Sequence, residues 1–400
     1  MWIFRKLVRL GRGQDCLGYG INLSCLYCYY DFNWALSIIL IVSRSGVLKA
    51  IVYRGNKNVN LEHVPEPDVP IGEVKISVDF CGICATDIEE YLYGPVFIDA
   101  NEPNKVTGKM MPMITGHEIT GTICELGEDV SSLSVGQRVV LNGVLYCEDC
   151  RRCNEGNTTQ CDGMAAVGFA RDGGLAEYLT WPADKIVVLP DNVSSLQAAF
   201  AEPASVAAHA VAKGGITSGQ KVVIIGVGTV GILALQIAHA AGAEVIAVDV
   251  NPMNLRTVQN VCPGAEIVDA AASAAKEMIL SLTGGIGPDV VIDAAGAKDT
   301  PVESVDIVRR GGLVVLVAIY VSKCEVDFNS LVSTEKSIVG SLAYTQKDVE
   351  HVVSLMSEGK LLTGPLVSGT VSLDEVKSVG FERMMSPAKD IFRILVDPKS

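Results

Sequence analysis

Lys221-Val222-Val223-Ile224-Ile225-Gly226-Val227-Gly228-Thr229-Val230-Gly231 decides the fold. Four β-branched apolar residues in a row fit a strand buried on both faces. G-x-G-x-x-G follows at once, and an apolar helical pattern opens at Thr229. Gly226 permits a tight turn, Gly228 lets the backbone approach a pyrophosphate, and Gly231 allows close helix–strand packing. The helix start, with Thr229 and Val230 in its first turn, offers free N–H groups and a positive dipole end to phosphates. Asp249 ends the next apolar run, eighteen positions after Gly231. An acid there would bind the adenosine ribose hydroxyls and repel a 2′-phosphate, so NAD is expected over NADP. The other reading, a glycine-rich turn without nucleotide, needs strand, helix and acid to coincide by chance.

Working outward, strand-like runs at 221–225, 244–249, 267–269, 289–293 and 313–317 alternate with helical stretches opening at Thr229, Pro252, Ala271 and Pro301. That alternation predicts an α/β architecture with a doubly wound parallel sheet over 204–340. Upstream, residues 48–203 carry short apolar alternations broken by Gly, Pro and Asp, at 74–80, 118–126, 138–141, 175–180 and 186–189. These predict a barrel-like β domain. From 341 the pattern mixes helix and strand and is expected to rejoin that domain, ending on a strand over 390–396.

The chain has 400 residues, is 49% hydrophobic and 20% charged, and carries a formal net charge of -14. A large core is affordable, and disorder is excluded. The negative charge argues against nucleic acid and against anionic membrane surfaces as partners. Residues 1–47 differ in composition from the rest. Arg5, Lys6, Arg9 and Arg12 come first, then Cys16, Cys25 and Cys28, then an apolar run at 34–42 too short to span a bilayer. We read this segment as a disordered extension or as sequence upstream of a start near Leu48. Cys25 and Cys28 have the spacing of half a metal site with no second half.

Cys147, Cys150, Cys153 and Cys161 are spaced C-x2-C-x2-C-x7-C. Four thiolates in one short loop suit a tetrahedral, closed and therefore structural zinc. Two disulfides are the alternative, and a reducing, cytoplasmic setting disfavours them. A second set of ligand-type residues is dispersed: Cys84, His117 with Glu118, and Glu202 where the β-rich part gives way to the α/β part. Cys, His and carboxylate with one position open would make a reactive zinc site, and a domain junction is where a cofactor cleft lies. Read alone, Cys84 fits an inert core thiol equally well.

Gly-Ile-Cys-x-Thr-Asp at 82–87, Gly-His-Glu-x-x-Gly at 116–121, the four-cysteine loop and the glycine motif stand in the order seen in zinc-dependent medium-chain dehydrogenases. The chain resembles that family from about Leu48 to its end. Glu202-Pro203 resembles the polyol branch, and the stretch 90–98, with 33 positions from Cys84 to His117, is similar to the 2,3-butanediol dehydrogenases. The resemblance implies a GroES-like β domain plus a Rossmann domain, in a homodimer or homotetramer. It implies that Cys84, His117 and Glu118 or Glu202 hold a catalytic zinc, that Thr86 relays the substrate proton, and that Asp87 orients ligands. It implies hydride transfer between NAD and a secondary alcohol or vicinal diol, first 2,3-butanediol, with sorbitol- or threonine-type chemistry, or a non-catalytic NAD-binding role, as alternatives. The chain departs from the family at Ala85, at Asn254, and at Glu89, which replaces the histidine that often ends the relay and could itself accept the proton.

Overall fold

The structure is a computed structural model and describes residues 46–400 except Ser273, Val321 and residues 387–389. The extension read over 1–47, with Cys16, Cys25 and Cys28, lies outside the described residues apart from its last two positions.

The first part is built from β1 (Val47–Tyr53), β2 (Val59–Pro65), β3 (Glu73–Ile83), β4 (Met113–Ile114), β5 (Glu118–Leu126), β6 (Arg138–Leu141), β7 (Val144–Leu145), β8 (Ala165–Ala166), β9 (Tyr178–Pro182) and β10 (Ile186–Val188). Alternate residues of β3 (Val74, Ile76, Val78) are fully buried, as a strand with one face on a core requires. They pack with Tyr53, Ile123 and Trp181. Each such apolar side chain contributes about 1.5–3 kcal/mol by leaving water. Trp181 is fully buried, and its indole N–H donates to Asn142 O at 2.9 Å. The strand expected over 175–180 starts later, at Tyr178, because Leu175 spends its backbone groups on Thr115 O (2.9 Å) and on the Ile51 amide (2.8 Å).

The second part is a parallel sheet of β11 (Lys221–Ile225), β12 (Glu244–Asp249), β13 (Glu266–Asp269), β14 (Val290–Asp293), β15 (Leu313–Leu316) and β16 (Ser337–Gly340). Its strand order is β13-β12-β11-β14-β15-β16, the doubly wound Rossmann order. The order reverses between β11 and β14, so their C-terminal ends open a crevice. The helix expected from Ala271 begins at Ala275, because Asp269 Oδ1 takes the Ala271 amide (2.9 Å) in a turn that competes with helix.

The chain then returns. β17 (Val367–Ser372) and β18 (Arg393–Asp397) extend the first sheet, with β18 antiparallel to β3. Four helices position the site: α1 (Ala85–Tyr93), α2 (Ala201–Lys213), α3 (Thr229–Ala240) and α4 (Gln346–Ser357). The alanine-rich α2 packs on α3 and α4, and His209 Nδ1 meets Asp348 Oδ2 at 3.0 Å between α2 and α4.

Candidate active site

Strand register brings the dispersed residues together. Gly82 of β3 pairs with Glu118 of β5, and Ile83 pairs with Ile394 of β18. Glu118 and Arg393 therefore flank the end of β3, where Cys84 turns the chain into α1. A Cβ at Gly82 would strike the Glu118 carboxylate, so only glycine fits. Cys84 is the N-cap of α1, and its amide donates to Asp87 Oδ2 at 2.8 Å. The other oxygen of Asp87 lies 3.5 Å from His117 Nδ1. One buried acid thus fixes the cysteine turn and faces His117 Nδ1, which leaves Nε2 for the thiol side.

The ligand atoms of Cys84, His117 and Glu118 all lie within 4.8 Å of one another. Glu118 is fully buried, and its Oε2 has no hydrogen-bond partner. A buried carboxylate oxygen without a donor is costly unless a cation meets it, so this set fits a zinc ion. Glu202 stands outside the set, on the wall of the same cavity. Burial pushes the Glu118 and Glu202 carboxyls up to about 7, against the pull of Arg393 and His117. Burial also opposes a Cys84 thiolate, yet Arg393 and His117 hold that thiol below its usual range. Thr86 Oγ1 is 3.6 Å from Cys84 Sγ. Glu89 lines the cavity, and partial burial raises its carboxyl.

Sequence reasoning missed Arg393. It is 4% exposed, its Nη2 is 3.0 Å from Glu118 Oε1, and its Nη1 donates to Ile83 O at 3.0 Å. Its one sequence signal is a cation inside the apolar run 391–396. Tyr344 was missed too. It is buried, its hydroxyl accepts the Gly143 amide at 3.3 Å, and it faces Glu202.

Cys147, Cys150, Cys153 and Cys161 place their sulfurs within 4.8 Å of one another. The nine cysteines among the described residues are all free thiols, which removes the disulfide reading. Backbone amides of Cys150 and Gly163 donate to Cys147 Sγ and Cys161 Sγ, both at 3.3 Å, as thiolate ligands require. This set also fits zinc.

The glycine motif lies at the β11 end of the crevice. Gly226 has φ +81, and a Cβ there would sit 2.6 Å from Ala295 Cα. A Cβ on Gly231 would strike Gly226 O, whereas one on Gly228 would meet nothing within 4 Å. The first and third glycines are thus needed for packing, and the second keeps a face open for phosphate. Thr229 Oγ1 donates to Phe392 O (2.8 Å), tying the start of α3 to the chain beside Arg393, and Val230 faces the cavity. Asp249 is pinned by the amides of Val227 and Asn251 (both 2.8 Å) and by Asn254 Nδ2 (3.0 Å). Asn254, where an arginine is common, therefore serves the acid.

A cavity of about 950 Å³ joins these parts. Cys84, Thr86, His117, Glu118 and Glu202 line it together with Ala294, Ala295 and Gly296, which follow β14 at the sheet's switch point.

The alcohol dehydrogenase GroES-like domain family matches residues 70–191, and the zinc-binding dehydrogenase family matches residues 229–358. The chain is 32% identical over 355 residues to (R,R)-butanediol dehydrogenase of Bacillus subtilis, covering 88% of this chain and 100% of that one. The crystal structure of the Bacillus subtilis 2R,3R-butanediol dehydrogenase superposes with a TM-score of 0.82, over 88% of this chain and 99% of that one. D-xylulose reductase A of Aspergillus niger is 32% identical over 82% of this chain and 91% of its own. A Sinorhizobium meliloti structure bound to NADP is 29% identical, with a TM-score of 0.80 over 88% of this chain and all of that one. The chain belongs to the zinc-dependent medium-chain alcohol and polyol dehydrogenases and is an oxidoreductase of that family.

Proposed function

We propose that this enzyme transfers hydride between NAD and a secondary alcohol or vicinal diol, with 2,3-butanediol and acetoin as the first pair to test. The observation that carries this is the single cavity shared by Cys84, His117 and Glu118 and by the loops at the sheet's switch point. Likeness to the butanediol dehydrogenase supports the diol. The lining supports an uncharged substrate: Glu89, Asp99, Glu102 and Asp162 outnumber Lys105 there, which disfavours phosphorylated or carboxylate substrates.

Cys84 Sγ, His117 Nε2 and Glu118 Oε2 would hold the catalytic zinc, with Glu202 close by for a water or the second substrate oxygen. When bound, zinc supplies Lewis acidity and the nicotinamide accepts the hydride. Asp87 holds the imidazole tautomer through Nδ1. Thr86 Oγ1 takes the substrate hydroxyl proton and passes it toward Glu89, whose raised carboxyl suits an acceptor. Arg393 pairs with the Glu118 oxygen turned away from the metal site. Asp249 would bind the ribose hydroxyls, favouring NAD. Cys147, Cys150, Cys153 and Cys161 would hold a structural zinc.

A homodimer or homotetramer is supported by the free edge of β16 and by exposed Phe328, Val332 and Leu342 near it. Free thiols support a cytoplasmic setting. Among the described residues no helix is long and apolar enough to cross a membrane.

The likeness to a xylulose reductase favours a second reading, oxidation of a longer polyol. Reduction of NAD and of NADP is measured with the butanediol stereoisomers, xylitol, sorbitol, threonine and ethanol. The proposal expects the highest kcat/KM for a butanediol with NAD. A preference for xylitol or sorbitol selects the polyol reading, and no turnover with any alcohol overturns both.

A further inference from the structure

Glu90 follows Glu89 in α1 but turns away from the cavity into the protein. It is 1% exposed, and no ion pair meets it among the described residues. Its carboxylate instead accepts backbone N–H groups: Val96 at 3.0 and 3.2 Å, and Phe97 at 2.7 Å. Gly94 lies at the same spot, and a Cβ there would crowd both the Glu90 side chain (2.5 Å) and the Tyr53 phenol. Burial and the nearby Glu90 push that phenol up, so it stays protonated beside the acid. A buried carboxylate is costly unless donors surround it. An apolar side chain would have served α1 better, so the acid answers to the loop.

That loop is the start of the long insert before His117. Its far end is tied elsewhere: Thr107 Oγ1 donates to Ala170 O, Lys109 pairs with Asp172, and Asp172 Oδ1 accepts the Ile114 amide at 3.1 Å. Between these tethers Phe97 meets Phe169 edge-on, with centroids 5.6 Å apart at 62°. Phe169 in turn lies 4.9 Å from the His117 ring. All three rings line the cavity. The Phe97 ring is thus placed by its own amide, and that amide is held by Glu90.

We propose that Glu90 is a positioning residue for substrate choice: its carboxylate fixes the Val96 and Phe97 amides, so the Phe97–Phe169 pair walls the pocket beside His117. The wall admits compact diols and excludes longer polyols. This rests on the diol reading above.

The test uses the full-length enzyme, Glu90→Gln, Phe97→Ala and the double variant. Glu90→Gln keeps the shape but loses the charge that strengthens both N–H bonds. Selectivity is the ratio of kcat/KM for butanediol to that for xylitol. Each single variant should lower it about 10-fold, the scale on which a pocket wall discriminates, with the change falling on KM for xylitol. The double variant should match the worse single one, because Glu90 acts through Phe97. Amide exchange reads the clamp without activity: Val96 and Phe97 should exchange slowly in the wild type and faster in Glu90→Gln. Unchanged selectivity, effects that multiply in the double variant, or fast exchange at both amides in the wild type would overturn the proposal. Should the wild type turn over no alcohol, the diol reading fails alone, and the exchange experiment still decides whether Glu90 holds the loop.

Discussion

Gly228→Ala and Gly231→Ala should separate cofactor contact from packing, although the two glycines stand three positions apart. A Cβ at Gly228 meets nothing within 4 Å. Its backbone angles, φ -66 and ψ -164, suit alanine. The fold should lose only ~1 kcal/mol, the cost of a poorer helix N-cap. The new methyl group does occupy the face left open toward the crevice. Displacing the pyrophosphate by the width of a methyl would break at least one charge-assisted hydrogen bond, worth about 1.5–3 kcal/mol. NADH should bind roughly 10- to 150-fold more weakly. At Gly231 the new Cβ strikes Gly226 O and lies 2.9 Å from Gly226 C, so α3 must move off β11. Overpacking of this kind costs about 1–3 kcal/mol, and cofactor binding falls with it. Fluorescence titration with NADH and thermal melting of the same samples read the two effects. Wild-type NADH affinity in Gly228→Ala would refute the placement of the cofactor, and a wild-type melt for Gly231→Ala would refute the packing argument.

Further outcomes follow from other parts of the site. In the zinc-depleted protein, Arg393→Met leaves buried Glu118 without a paired cation and should destabilise the protein by about 3–5 kcal/mol, read by melting; Arg393→Met with Glu118→Gln should recover part of that loss. Cys153→Ser should lower zinc content by about one ion per chain while NADH still binds, as metal analysis and titration would reveal. Asp348 carries the pH prediction. Burial opposes its ionisation, but the hydrogen bonds from His209 and Thr345 hold its pKa below the usual value. A depressed folded pKa gives stability that is present above the unfolded value of ~3.9 and lost as pH falls through the folded one. The wild type should therefore melt higher than Asp348→Asn at pH 7, and the gap should shrink progressively as pH falls below about 4; a gap that widens with falling pH would contradict this.

What the sequence disclosed depended on how local the signal was. The strand, turn and helix at 221–231 and the four-cysteine loop carry their geometry in a few consecutive residues, and both were legible. Cys84, His117 and Glu118 were legible through motif resemblance, since spacing alone left Cys84 readable as a core thiol. Arg393 was not, because only the pairing of β18 with β3 carries it 310 positions back to Ile83. Glu90 was hidden for a different reason. Adjacent acids look alike in sequence, and only the rotation of α1 sends Glu89 to the cavity and Glu90 to the Val96 and Phe97 amides. Helix α2 was missed because its start lacks a capping side chain and its alanines show no sharp apolar stripe. Strand β16 was missed because it lies at the sheet edge, where only Ile338 and Val339 are apolar and neither is fully buried.

Zinc content, NADH affinity and diol-dependent NADH formation, measured together on wild type and His117→Ala, test the account most directly. The wild type should hold about two zinc ions per chain and reduce NAD with a diol, whereas His117→Ala should hold about one, bind NADH normally and form no NADH. A His117→Ala protein that keeps both ions, or that turns over at the wild-type rate, would contradict it.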